Sequence, residues 1–127
     1  MVRSELNKLP MDRFIVAHDI KFKYGNIDHL IVRVDDGQIF LIESKAYRGI
    51  VSVIDDSILV NGRKPTRNPF CQVQRSIRYI KAIWSKDQWI ESAIICPLAK
   101  IVRQAQAGST PVLKLTQLAG YINGSQE

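Results

Sequence analysis

Cysteine is scarce in this chain: Cys71 and Cys96 are the only two, and neither has a second Cys or a His at metal-finger spacing. A disulfide-dense scaffold and a zinc finger are thereby excluded, and thiols set in apolar stretches read as buried groups in a reducing compartment. An apolar leader is missing too, since Met1-Val2-Arg3-Ser4-Glu5 holds no signal-peptide core. No later apolar run approaches the length of a bilayer span, so the expectation is a cytoplasmic protein with no membrane partner. Repeats and low-complexity tracts are also absent, which leaves periodicity and turn chemistry as the guides to organisation.

Negative charge is the minority sign. The 12 Asp+Glu stand against 18 Lys+Arg, a formal charge of +6, and a basic surface attracts polyanions within about a Debye length. Nucleic acid is the natural candidate partner, while a modest aid to solubility is the plain alternative. At 127 residues, with 46% hydrophobic and 24% charged, the chain is the size of one domain and has the means to bury a core.

Residues 4–9 read as the end of a helix stopped by Pro10, and residues 14–20 as a strand bounded by the turn signal Gly25-Asn26. Two apolar runs follow, residues 27–34 and 38–45, separated by the hairpin junction Asp35-Asp36-Gly37. Residues 49–54 and 57–60 flank Asp55-Asp56 as a second hairpin, closed by Asn61-Gly62. Asn68-Pro69 then sets a cap before a first-turn proline. The spacing of Phe70, Val73, Ile77, Ile80 and Trp84 predicts one buried helical face, with Arg75, Arg78 and Lys81 outside it. Residues 92–96 and 111–115 read as strands, residues 100–109 as a loop, and Thr116 as the cap of a helix reaching Ile122. The fold class is α/β in the broad sense, an α+β arrangement on a mixed sheet.

In Ile39-Phe40-Leu41-Ile42 four consecutive apolar residues imply burial on both faces, and Glu43 and Lys45 then follow abruptly. Burying charge is costly unless it is paired or bound to metal. Residues two apart on a strand share a face, so Glu43 and Lys45 project together. A two-residue type I′ loop at Asp36-Gly37 would pair Asp35 with Gln38, Leu30 with Glu43 and Asp28 with Lys45. Asp28 then lies diagonal to Glu43, with Cβ atoms roughly 7–8 Å apart, a span one cation bridges. A three-residue loop would turn Asp28 to the other face.

Asp28, Glu43 and the main-chain carbonyl of Ser44 offer only oxygen, which favours Mg²⁺ or Mn²⁺ over zinc. Such a metal polarises a phosphate and lowers the pKa of its water, while Lys45 orients that water, offsets developing charge, or acts as base if its own pKa is depressed. Alone, Glu-x-Lys is uninformative, being expected by chance in roughly half of chains this long. A surface ion pair is its commonest meaning, but that does not explain two charges ending a doubly apolar strand.

The ordered set Ile27-Asp28-His29-Leu30, residues 37–40, Leu41-Ile42-Glu43-Ser44-Lys45, Gly49 and Asn68-Pro69-Phe70-Cys71-Gln72 resembles the nuclease-related domain of the PD-(D/E)XK nuclease superfamily. The similarity runs over residues 9–96. It implies a restriction-endonuclease-like core and Mg²⁺-dependent hydrolysis of DNA. Asp28 and Glu43 match its metal-binding acids, Lys45 its catalytic lysine and Gln72 the glutamine after Asn-Pro. His29, on the strand face opposite Asp28, is expected to pack rather than ligate. One departure concerns the glutamate that members carry on a longer amino-terminal helix. Glu5 lies too close to Leu9-Pro10 to match it, so either Glu5 substitutes or that helix is trimmed.

The expected function is therefore a metal-dependent DNA endonuclease, with no small-molecule cofactor and with homodimer assembly left open. The alternative is a catalytically weak nucleic-acid-binding module that uses Arg63, Lys64, Arg67, Arg75 and Arg78. A protein-interaction domain on an ancestral fold ranks last.

Overall fold

The doubly apolar run at residues 39–42 becomes the centre of the fold. In the computed structural model, which describes residues 1–102, 106–107 and 109–124, it forms β3 (Ile39–Ser44). β3 pairs antiparallel with β2 (Gly25–Arg33) and parallel with β6 (Ile90–Ile95). β1 (Phe14–Phe22) lies outside β2, and β9 (Thr110–Leu113) and β8 (Gln106–Ala107) extend the other edge, giving the order β1-β2-β3-β6-β9-β8. A second sheet, ordered β5-β4-β7, consists of β4 (Gly49–Ile54), β5 (Ser57–Val60) and β7 (Ala99–Ile101). The fold is thus a mixed-sheet α+β architecture.

Strict alternation along β3 serves two cores at once. Ile39 and Leu41 pack with Val73 and Ile80 of α2 (Pro69–Ile83) and with Val51 and Ile58 of the second sheet. Phe40 and Ile42 pack on the opposite face with Val2 and Leu6 of α1 (Val2–Leu6) and Leu118 and Ile122 of α3 (Leu118–Asn123). Glu43 and Lys45 continue the α2 face of the strand. Among the described residues, no helix is long and apolar enough to cross a membrane.

The first hairpin departs from expectation. Arg33 N–H donates to Gln38 O at 2.9 Å and Gly37 N–H to Arg33 O at 2.7 Å, so the loop holds four residues, 34–37. A type I′ turn needs two adjacent left-handed residues, and here Gly37 (φ +71°) is left-handed while Asp36 is not. Asp36 instead accepts from Arg33 Nη2 at 2.6 Å and from Gln38 N–H at 3.1 Å, and its carboxylate shapes the wider turn. The register moves by two residues, to Leu30↔Leu41 in place of Leu30 opposite Glu43. An even shift leaves every side chain on its predicted face. The second hairpin does have the two-residue form, with Asp55 (φ 48°) and Asp56 (φ 61°) between Ile54 and Ser57.

Further differences have local causes. The Gly25-Asn26 turn signal lies inside β2, and the turn falls two residues earlier, at residues 23–24. Trp84 ends α2 as its C-cap and is 56% exposed, because the apolar period outruns the sheet beneath it. Cys71 is exposed on the outer side of α2, whereas Cys96 is buried. Thr116 sits within a 3-10 turn, Leu115–Gln117, and Gln117 caps α3. Residues 100–109 are not simply loop, since β7 and β8 enter them; Gln104 and Gly108 lie outside the described residues.

Candidate active site

The β2–β3 ladder ends at His29↔Ile42, one step before the charged residues. Beyond it the Asp28 carboxylate replaces a strand carbonyl as acceptor: Ser44 N–H donates to Asp28 Oδ2 at 2.9 Å. Asn26, two residues away on the strand, donates its Nδ2 to Asp28 Oδ1 at 3.1 Å. From β3, Glu43 is 5% exposed, and Lys45 Nζ stands 3.4 Å from Glu43 Oε2. Opposite them α2 begins with a capped turn, where the Asn68 side chain accepts from Phe70 N–H at 3.0 Å and Pro69 holds the first position. That cap directs the first-turn residue Gln72 towards β3. Asp28, Glu43, Ser44, Lys45 and Gln72 thus line one cleft of about 430 Å³.

Two oxygens in this region, Glu43 Oε1 and Gln72 Oε1, are buried without a hydrogen-bond partner. With Glu43 ionised both are acceptors and neither can satisfy the other, and a buried acceptor left alone costs about 1–3 kcal/mol. Burial, helped by the Asp28 charge and opposed by Lys45, pushes the Glu43 carboxyl up to about 7. A hard cation answers both features, because it supplies positive charge to oxygens that lack donors. Among the described residues no three His, Cys, Asp or Glu groups gather as a metal cluster. A cation held here would find oxygen beyond the two carboxylates in Gln72 Oε1 and the Ser44 carbonyl.

The opposite side of the strand ends is built differently. His29, 7% exposed, brings Nδ1 within 2.8 Å of His18 Nδ1, and His18 Nε2 lies 2.9 Å from Asn7 Oδ1. Ser44 Oγ lies 3.4 Å from His29 Nε2 and 3.4 Å from Asp28 Oδ2. Burial lowers His29 to about 4, with the Asp28 charge opposing, so the ring is neutral. His29 therefore packs on this face. Glu5 does not enter the cleft; it pairs with Lys8 at 2.9 Å on the surface.

The five predicted cationic residues are all exposed and flank the cleft. Arg67 and Arg75 line it directly. Arg63 and Lys64 share a neighbouring depression with Arg67 and Lys45, and Arg78 shares one with Arg75 on the other side. Asn26, Phe22, Tyr24 and Ser76 also line these surfaces but were not singled out by sequence. Asn26 was detectable as a same-face neighbour of Asp28. Phe22 and Tyr24 carry no such signal, because the turn precedes Gly25-Asn26 and brings both beside the cleft.

A mixed sheet whose central strand ends in Glu-x-Lys beside an Asp from its neighbour and a helix-borne Gln has the form of a nuclease-like core. The family model described as the nuclease-related domain matches residues 1–97, and the chain belongs to that family. No curated protein and no solved structure matches the chain.

Proposed function

We propose that this nuclease-related domain is a metal-dependent endonuclease that hydrolyses DNA phosphodiester bonds. The observation that carries this is the pair of partnerless buried oxygens, Glu43 Oε1 and Gln72 Oε1, beside Asp28 in a cleft flanked by arginines. Asp28, Glu43, Gln72 Oε1 and the Ser44 carbonyl would hold Mg²⁺ or Mn²⁺. When bound, such an ion supplies Lewis acidity towards a phosphate oxygen and lowers the pKa of its water. Ser44 N–H and Asn26 hold the Asp28 carboxylate in place. Arg67 and Arg75 seat the DNA phosphates, and the Lys45 ammonium offsets charge developing on the phosphoryl oxygens. The cytoplasm and a DNA partner belong to the same proposal.

Nicking of supercoiled plasmid by purified protein with Mg²⁺ or Mn²⁺ tests it. Cleavage should require the ion and disappear in Asp28→Asn and Lys45→Met; no cleavage with either ion, or full activity in both variants, overturns it. A second function, DNA binding with little or no turnover, is favoured by the surface position of Glu5, which pairs with Lys8 outside the cleft. It predicts salt-sensitive binding without nicking.

A further inference from the structure

Resting on the proposed DNA-cleaving site, we infer that the depression between the β1–β2 turn and α2 binds an unpaired base of the substrate strand, so that the DNA is single-stranded beside the cleft. This depression, about 600 Å³, is lined by Phe22, Tyr24, Arg75, Arg78, Tyr79 and Ala82. It shares Phe22, Tyr24 and Arg75 with the cleft that holds Asp28, Glu43 and Lys45, so the two form one continuous surface. Its size falls in the range of about 300–1,000 Å³ typical of ligand sites.

The lining has the chemistry of a base platform. Phe22 and Tyr79 stack, with centroids 4.3 Å apart and planes 15° from parallel, and make a fixed aromatic wall. Gly25, the strand partner of Phe22, leaves room for that ring, because a Cβ there would meet Phe22 at 3.0 Å. Tyr24 is 66% exposed at the turn, so its ring is accessible beside that wall, with Lys23 Nζ 5.3 Å from its centroid. Its position is held, since Arg75 Nη1 donates to Tyr24 O at 3.2 Å and ties the turn to α2. Arg75 and Arg78, one helical turn apart, put two exposed guanidinium groups on the same wall, and the lining contains no carboxylate.

Phosphate attraction alone would need only the arginines. Aromatic rings gain from DNA when a base leaves its stack, because every free base offers a π-face and duplex bases hide theirs against one another. The depression on the other side, with Arg63, Lys64 and Arg67, is the more cationic of the two. The strand is thus held by phosphate contacts on one side of the cut and by a stacked base on the other.

Binding measured without metal separates this inference from hydrolysis. Fluorescence anisotropy in EDTA would compare a labelled single strand, a blunt duplex, a duplex with a single-stranded overhang, and a single strand with an abasic tract. Wild-type protein should bind the single strand and overhang more tightly than the blunt duplex and lose affinity for the abasic strand. Tyr24→Ala should weaken single-strand binding about 5- to 100-fold, in line with base–aromatic stacking, and leave the blunt duplex nearly unchanged. Tyr24→Phe should restore binding, because a phenyl ring stacks on a base as the phenol does. Equal binding of abasic and normal strands, an equal loss for both DNA forms in Tyr24→Ala, or no DNA binding at all overturns the inference. If the stacking signature appears and plasmid is never nicked, the base site stands and the hydrolytic proposal falls; nicking with a neutral Tyr24→Ala gives the reverse.

Discussion

The two faces at the end of β3 each bury one titratable side chain, His29 or Glu43, and treat its polar neighbourhood in opposite ways. On one, Ser44, His29, His18 and Asn7 form a neutral chain in which each side chain has a partner. On the other, one residue away, Glu43 and Gln72 each keep a buried oxygen without one. On the proposed function, those unpaired oxygens are a cost offset when a cation binds. The difference sets a paired polar chain against two oxygens without partners, and the proposed cation site lies on the second face.

Glu43→Gln should produce the largest contrast. It removes a charge from the proposed cation site, and cleavage should fall about 100- to 1,000-fold, the scale for losing one preorganised electrostatic group. The same change relieves the burial of charge, so the metal-free protein at pH 8 should become more stable in urea rather than less. His29→Ala should act in the opposite sense, lowering stability by opening a void and leaving His18 Nδ1 without its partner. A Glu43→Gln protein that loses both activity and stability would erase the distinction between the faces.

The pH dependence of folding provides the next contrast. Glu43 titrates near 7 in the folded chain against 4.5 unfolded, so the native state binds more protons between those values. Its stabilising contribution is full below about 4.5 and lost as pH rises through about 7, on the order of 3 kcal/mol. His29 titrates near 4 against 6.5, so its contribution is full above about 6.5 and lost as pH falls through about 4, again on the order of 3 kcal/mol. The two slopes oppose each other in wild-type protein. Urea titrations between pH 4.5 and 6.5 should show stability rising with pH in Glu43→Gln and falling with pH in His29→Ala. Parallel slopes in the two variants would remove the assigned causes.

A slightly smaller effect concerns the cation itself. At a concentration near 100 times its dissociation constant, Mn²⁺ should stabilise the wild-type fold by about 2.7 kcal/mol, provided it does not bind the unfolded chain. The shift should be larger at pH 8 than at pH 6, where more of Glu43 is protonated, and nearly absent in Glu43→Gln. Thermal melts with and without Mn²⁺ measure this. An undiminished shift in the variant would place the ion elsewhere.

Much of this contrast was legible in sequence because its signals are local. Four apolar residues in a row, Ile39 to Ile42, predicted burial on both faces, and Asn68-Pro69 predicted the helix start that carries Gln72. The predicted convergence of Asp28 with Glu43 survived an incorrect loop because loops of two and four residues preserve strand parity. What sequence did not reveal depends on distant partners. The loop widens around Arg33, whose Nη1 donates to Ile122 O at 2.8 Å as its Nη2 meets Asp36, and β3 and β6 run parallel across more than 40 intervening residues. Trp84 continued an apolar period that had no core left to meet. The partnerless oxygens appear only when β3 and α2 are brought together.

Ser44 joins the two faces and gives the finest test of their independence. Its main-chain N–H holds Asp28 at 2.9 Å, whereas its hydroxyl reaches Asp28 and His29 only at 3.4 Å each. Hydrogen bonds of that length are weak. Ser44→Ala keeps the main-chain bond and removes both long contacts, so it should cost about 1 kcal/mol of stability by depriving His29 Nε2 of a partner. Cleavage should fall less than about tenfold, well short of the Glu43→Gln effect, because the Asp28 carboxylate stays anchored. Parallel measurement of kcat/KM and urea midpoint decides the point. A loss of activity as deep as that of Asp28→Asn, with the fold intact, would mean that the histidine chain acts through Ser44 on the reaction and that the two faces work as one.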